Sequence, residues 1–91
     1  MNLNKVCEIE DFADPELVAV MTDVFSYKLP HMPPGYPRGS EYRKDWEIAM
    51  AVRALREGGA LRPDAQILGV GAGTEDTSFY LTRHAGRVVA T

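Results

Sequence analysis

One cysteine, Cys7, stands in the whole chain, so no internal disulfide can form and a reducing compartment is the expected setting. Long apolar runs are missing too. None approaches the roughly 18 residues that a membrane span needs. The opening residues MNLNKVCEIE hold no apolar stretch of signal-peptide length. Positive charge is not in excess: 10 Lys and Arg face 13 Asp and Glu, a net charge of −3, which leaves no electrostatic footprint for nucleic acid. The two histidines, His31 among prolines and His84, are too isolated for a metal site or a catalytic triad. No pair of carboxylates has a placement that assigns general acid and base roles. Together these absences lead us to expect a cytoplasmic protein with neither a membrane nor a nucleic acid as partner, and with no metal.

What is present is ordinary for a globular protein, 45% hydrophobic and 25% charged. At 91 residues the chain makes one small domain at most. A domain of that size buries only about 60 to 65% of its unfolded surface. Asp14 and Pro15 read as a helix start, with a capping carboxylate and a proline at the position where no N–H is missed. Leu17, Val18, Met21, Val24, Phe25 and Leu29 then recur at helical spacing, which predicts an amphipathic helix ending near Lys28. From Leu29 to Gly39, four prolines and two glycines predict an extended loop.

A second helix is expected from Ser40, with Glu41 in its first turn, an apolar face of Tyr42, Trp46, Ala49, Met50, Val52 and Leu55, and a stop at Gly58 and Gly59. Its charges balance: Arg43, Lys44, Arg53 and Arg56 stand against Glu41, Asp45, Glu47 and Glu57, the pattern of a solvated face. Tyr42 and Trp46 read as residues packing this helix on a sheet, with a lid over a ligand as the alternative.

The stretch QILGVGAGTED, residues 66–76, organises the rest. Ile67, Leu68 and Val70 read as a short buried strand of residues 66–70, and Gly69, Gly71 and Gly73 as a tight strand-to-helix turn where a ligand would approach the backbone. Thr74, Glu75 and Asp76 suit the first turn of a helix over residues 75–84, with Phe79, Tyr80 and Leu81 available for packing. Gly86 ends that helix and residues 87–91 begin a second strand. Strand, glycine loop, helix, strand is a β-α-β unit, the opening of an open α/β sheet. Such loops bind nucleotide-like ligands. A dinucleotide fingerprint G-x-G-x-x-G fails here, since its third glycine would fall on Asp76 or on Thr74. A pyrophosphate also wants a helix N-terminus free of carboxylates, and Glu75 and Asp76 stand there. A ligand carrying a sulfonium and an ammonium tolerates them.

The run AQILGVGAGTED resembles motif I of the class I S-adenosylmethionine-dependent methyltransferases, and the likeness extends over residues 41–91. The family's usual acidic residue falls at Gly69 and its third glycine at Glu75. The resemblance implies a domain division at 40/41, with an N-terminal helix and proline-rich loop ahead of the start of a Rossmann-like domain. It also implies S-adenosylmethionine as cofactor, contacted by Gly69, Gly71, Ala72, Gly73, Thr74 and Glu75. An acidic residue for the ribose hydroxyls is expected at or just after Thr91. On this reading the 91 residues are the N-terminal portion of a longer methyltransferase, with the methyl acceptor's site and any catalytic base further on. Two other expectations stay open: an NAD(P)-binding oxidoreductase with a variant Rossmann loop, and a non-catalytic α/β module.

Overall fold

The computed structural model of the protein describes residues 5–71 and 76–91, with Asp76 described by its backbone alone. The elements are mixed α/β: a 3₁₀ helix (Ile9–Ala13), α1 (Pro15–Val24), a second 3₁₀ helix (Ser26–His31), α2 (Arg43–Glu57), β1 (Gln66–Gly69), α3 (Asp76–Leu81) and β2 (Arg87–Ala90). They form two compact units, Met1–Ala54 and Leu55–Thr91, whose division falls inside α2.

In the first unit α1 begins as expected. The Asp14 carboxylate accepts the Glu16 N–H at 2.9 Å, with Pro15 at the first helical position. Leu17, Val20, Met21 and Val24, spaced by three and four residues, are buried along one stripe. The helix stops at Val24, four residues earlier than its periodicity predicts. The chain then tightens into the 3₁₀ helix, with the Lys28 N–H donating to the Phe25 carbonyl at 2.8 Å and that of Met32 to Leu29 at 3.1 Å. Pro30 sits inside this helix, so residues 29–31 are not the extended loop that proline content suggests. Lys28 lies over the rings of Phe25 (5.2 Å) and Tyr27 (5.6 Å), a cation–π contact at each. Beyond it the segment is a succession of turns, closed by Arg38 N–H to Gly35 O and Ser40 N–H to Pro37 O, both 2.9 Å.

Helix α2 starts at Arg43, not Ser40, because Glu41 is used otherwise: its carboxylate accepts the Gly39 N–H at 3.0 Å. Tyr42, expected on the apolar face, is 61% exposed. The balanced charges do not all face water either. Asp45 and Arg53 are buried, Asp45 accepting from the Tyr36 hydroxyl and Arg53 pairing with Glu16 of α1. Within this first unit the Trp46 indole N–H donates to Asp11 at 3.1 Å. Buried charge needs such partners.

The Tyr36–Asp45 bond, 2.8 Å and buried, yields a prediction. Burial first, then the hydrogen bond to the Asp45 carboxylate and its negative charge, push the Tyr36 hydroxyl well above its ordinary value near 10. A group whose folded-state value is raised contributes stability below its unfolded value and loses it as pH rises through the folded one. The protein is therefore expected to weaken above about pH 10 through Tyr36. Tyr36→Phe is expected to remove about 1–3 kcal/mol at neutral pH by leaving a buried carboxylate short of a donor. Urea unfolding at pH 7 checks the stability loss, and absorbance titration at 295 nm checks the ionisation: Tyr36→Phe should lose a tyrosine step that wild type shows only with unfolding.

In the second unit the end of α2 is a Schellman motif, as the glycine pair predicts. Ala60 N–H reaches Leu55 O at 2.9 Å, Gly59 N–H reaches Arg56 O at 3.1 Å, and Gly59 takes φ +73°. A turn at Arg62 to Asp64 leads into β1. Strands β1 and β2 run parallel, in the register Gln66 to Arg87, Ile67 to Val88, Leu68 to Val89 and Gly69 to Ala90. Parallel strands need a crossover, and α3 supplies it. It spans Asp76–Leu81 and closes in turns (Arg83 N–H to Tyr80 O, His84 N–H to Leu81 O), so it stops three residues before the expected position 84. Tyr80 and Leu81 are buried while Phe79 is exposed. The His84 ring packs on Tyr80, centroids 4.6 Å apart.

Candidate functional site

The strand that carries the glycine motif is half open, not buried as its apolar run suggests. Ile67 is half-buried, but Leu68 is 64% exposed and Val70, just past the strand, 82%. Alternation along paired strands puts Gln66 and Leu68 on one face with Arg87 and Val89. These residues and Ile67 line an open depression of about 330 Å³.

Gly69 is the last residue of β1, paired with Ala90, and so belongs to the strand and not to the turn that the glycine spacing predicts. Gly71 does turn the chain, with φ +69°. Sterics reserve that conformation largely for glycine. Among the described residues a Cβ on Gly71 would meet no atom within 4 Å, so backbone conformation calls for glycine here. Ala72, Gly73, Thr74 and Glu75 lie outside the described residues.

Thr91 brings the two glycines together. Its N–H donates to Gly69 O at 2.9 Å, one step beyond the ladder. Its Oγ1 accepts the Gly71 N–H at 3.0 Å and lies 3.4 Å from Gly69 O. The carboxyl ends of both parallel strands thus meet at the start of the glycine loop, the place where open α/β sheets put ligands. Sequence reasoning placed an acidic ribose contact at or just after Thr91 and missed the role of Thr91 itself. The one available signal was a hydroxyl residue ending the strand that pairs with the motif strand.

The Cys7 thiol is half-buried, and burial, then the nearby Asp11 charge, push it above its ordinary range, which suits an unreactive thiol better than a nucleophile. Among the described residues no cluster of three or more His, Cys, Asp or Glu could hold a metal ion, and no helix is long and apolar enough to cross a membrane. No family model, curated protein or solved structure matches the chain.

Proposed function

We propose that this chain supplies the cofactor cradle of an S-adenosylmethionine-dependent methyltransferase, with the β1-α3-β2 segment as the start of a Rossmann-like sheet. The observation that carries the reading is the Gly71 turn at the carboxyl ends of two parallel strands, open on the side where a Cβ would stand. The Gly71 N–H supports this ligand over a dinucleotide. It is already given to Thr91 Oγ1, so this donor of the loop is not directed at a phosphate. Glu75 and Asp76 next in sequence add the same preference by charge.

Gly69 and Gly71, with Ala72, Gly73, Thr74 and Glu75, would hold the cofactor along the backbone of the loop. When bound, S-adenosylmethionine supplies an electrophilic methyl group on a sulfonium. The chain's own contribution is position. A loop that carries no side chain at Gly71 lets the backbone approach, and fixing that loop in advance converts binding energy into alignment for in-line transfer. No residue here is assigned as a base.

Calorimetric titration of S-adenosylmethionine into the protein, with NAD as control, tests the reading. The expected result is micromolar binding of the first, none of the second, and loss of binding in Gly71→Val. Binding of NAD alone would make this an oxidoreductase's loop. No heat with either would leave a scaffold without a cofactor.

A further inference from the structure

Thr91 makes three contacts to two residues that bracket Val70, and each uses a different atom pair. A threonine hydroxyl offers one donor and two acceptor sites. Here one acceptor site takes the Gly71 N–H at 3.0 Å, the hydroxyl proton can point at Gly69 O 3.4 Å away, and the main-chain N–H of Thr91 holds that same carbonyl at 2.9 Å. The ladder of β1 and β2 ends at Gly69 and Ala90. The side chain therefore carries the pairing one step further, onto a backbone that has already left the strand at φ +69°. Glycine loses more freedom on ordering than any other residue, so a loop built on Gly71 needs an outside restraint to keep one conformation. A β-branched side chain, stiff about χ1, is suited to provide it.

We infer that Thr91 is the positioning residue of the glycine loop: its hydroxyl holds Gly71 in the left-handed conformation in which the loop meets its ligand. The nature of that ligand rests on the methyltransferase reading; the latch does not. Val is nearly isosteric with Thr and keeps the main-chain bond to Gly69 O while removing both hydroxyl contacts. Ser keeps the hydroxyl.

The test compares wild type, Thr91→Val and Thr91→Ser by solvent-exchange NMR of the Gly71 amide without ligand, then by calorimetry with S-adenosylmethionine. The amides of Ile67 and Val89, which face the partner strand in the alternation set by Arg87 N–H to Ala65 O and Thr91 N–H to Gly69 O, serve as controls for the intact sheet. The expected result is faster Gly71 exchange in Thr91→Val, by roughly tenfold, with the control amides unchanged, and binding weakened about fivefold to tenfold, as losing one hydrogen bond's worth of preorganisation implies. Thr91→Ser should restore both. Equal Gly71 exchange in wild type and Thr91→Val would overturn the latch. A change in exchange with unaltered affinity would overturn its positioning role. Should wild type not bind S-adenosylmethionine at all, the methyltransferase reading fails and the exchange comparison still decides whether Thr91 holds the loop.

Discussion

Gly86→Ala is expected to destabilise the second unit by about 3 kcal/mol, within the upper range for overpacking. A Cβ at this position would collide with the Pro63 carbonyl oxygen and stand 3.4 Å from that of Ala65. The obstacle is backbone, so no side-chain rotation relieves it. The backbone is also held where it is, because the Ala65 carbonyl accepts both the Gly86 N–H at 2.8 Å and the Arg87 N–H at 3.0 Å. This seam starts the two strands side by side, and pushing it apart disturbs the ladder from its first pair, Gln66 and Arg87. Gly71→Ala provides the contrast. None of the described residues would touch its Cβ, and the left-handed backbone resists it, a cost of about 1–2 kcal/mol. Thermal melts of the two variants decide the matter. Gly86→Ala should melt lower than wild type by on the order of 10 °C, and clearly lower than Gly71→Ala. Equal melting of the two would mean that the strands do not meet at Gly86 as closely as described.

The features legible in the sequence are those whose chemistry is local. Asp14 and Pro15 start a helix by bonds made within two residues, and Gly58 and Gly59 stop one by bonds made within five. The β-α-β order was legible for the same reason, since each of its parts announces itself over a few residues. What failed depended on distant partners. Arg53 read as a solvated charge because Glu16, which pairs with it, lies 37 positions away. The Trp46 indole bond left no local signal because its partner Asp11 is 35 positions back. Pro30 read as a loop breaker although a 3₁₀ helix of one or two turns tolerates it. At the candidate site the pattern repeats. The positive φ of Gly71 follows from its place after a strand, whereas Thr91 enters only through the parallel register, 20 residues on. Gly86 shows the opposite trap: read as a helix stop, it is required by a carbonyl 23 residues earlier in the chain.

Asp11→Ala is expected to cost about 2–4 kcal/mol, because it strips the partner from several donors at once. Asp11 is only 6% exposed. Its Oδ1 accepts from Lys5 Nζ at 2.6 Å, and its Oδ2 accepts both the Glu8 N–H at 3.0 Å and the Trp46 indole N–H at 3.1 Å. One carboxylate thus closes the first turn of the 3₁₀ helix Ile9–Ala13 and ties that helix to α2. Burial by itself pushes the Asp11 carboxyl upward. The hydrogen bonds from Lys5, Glu8 and Trp46, with the Lys5 charge, outweigh it and hold the group below the usual aspartate value. A carboxyl lowered in the folded state contributes stability above its unfolded value, near 3.9, and loses it as pH falls through the lower folded one. Urea unfolding followed by the fluorescence of Trp46, the single tryptophan, reads this bond from its own donor. Wild type should lose stability steadily below about pH 4, and Asp11→Asn should be weaker at pH 7 yet lack that part of the acid dependence. An Asp11→Asn protein with the same acid profile as wild type would place the titrating carboxylate elsewhere. If Asp11→Ala also unfolds at the wild-type urea concentration, the three donors are satisfied by water and the carboxylate does not hold the helices together.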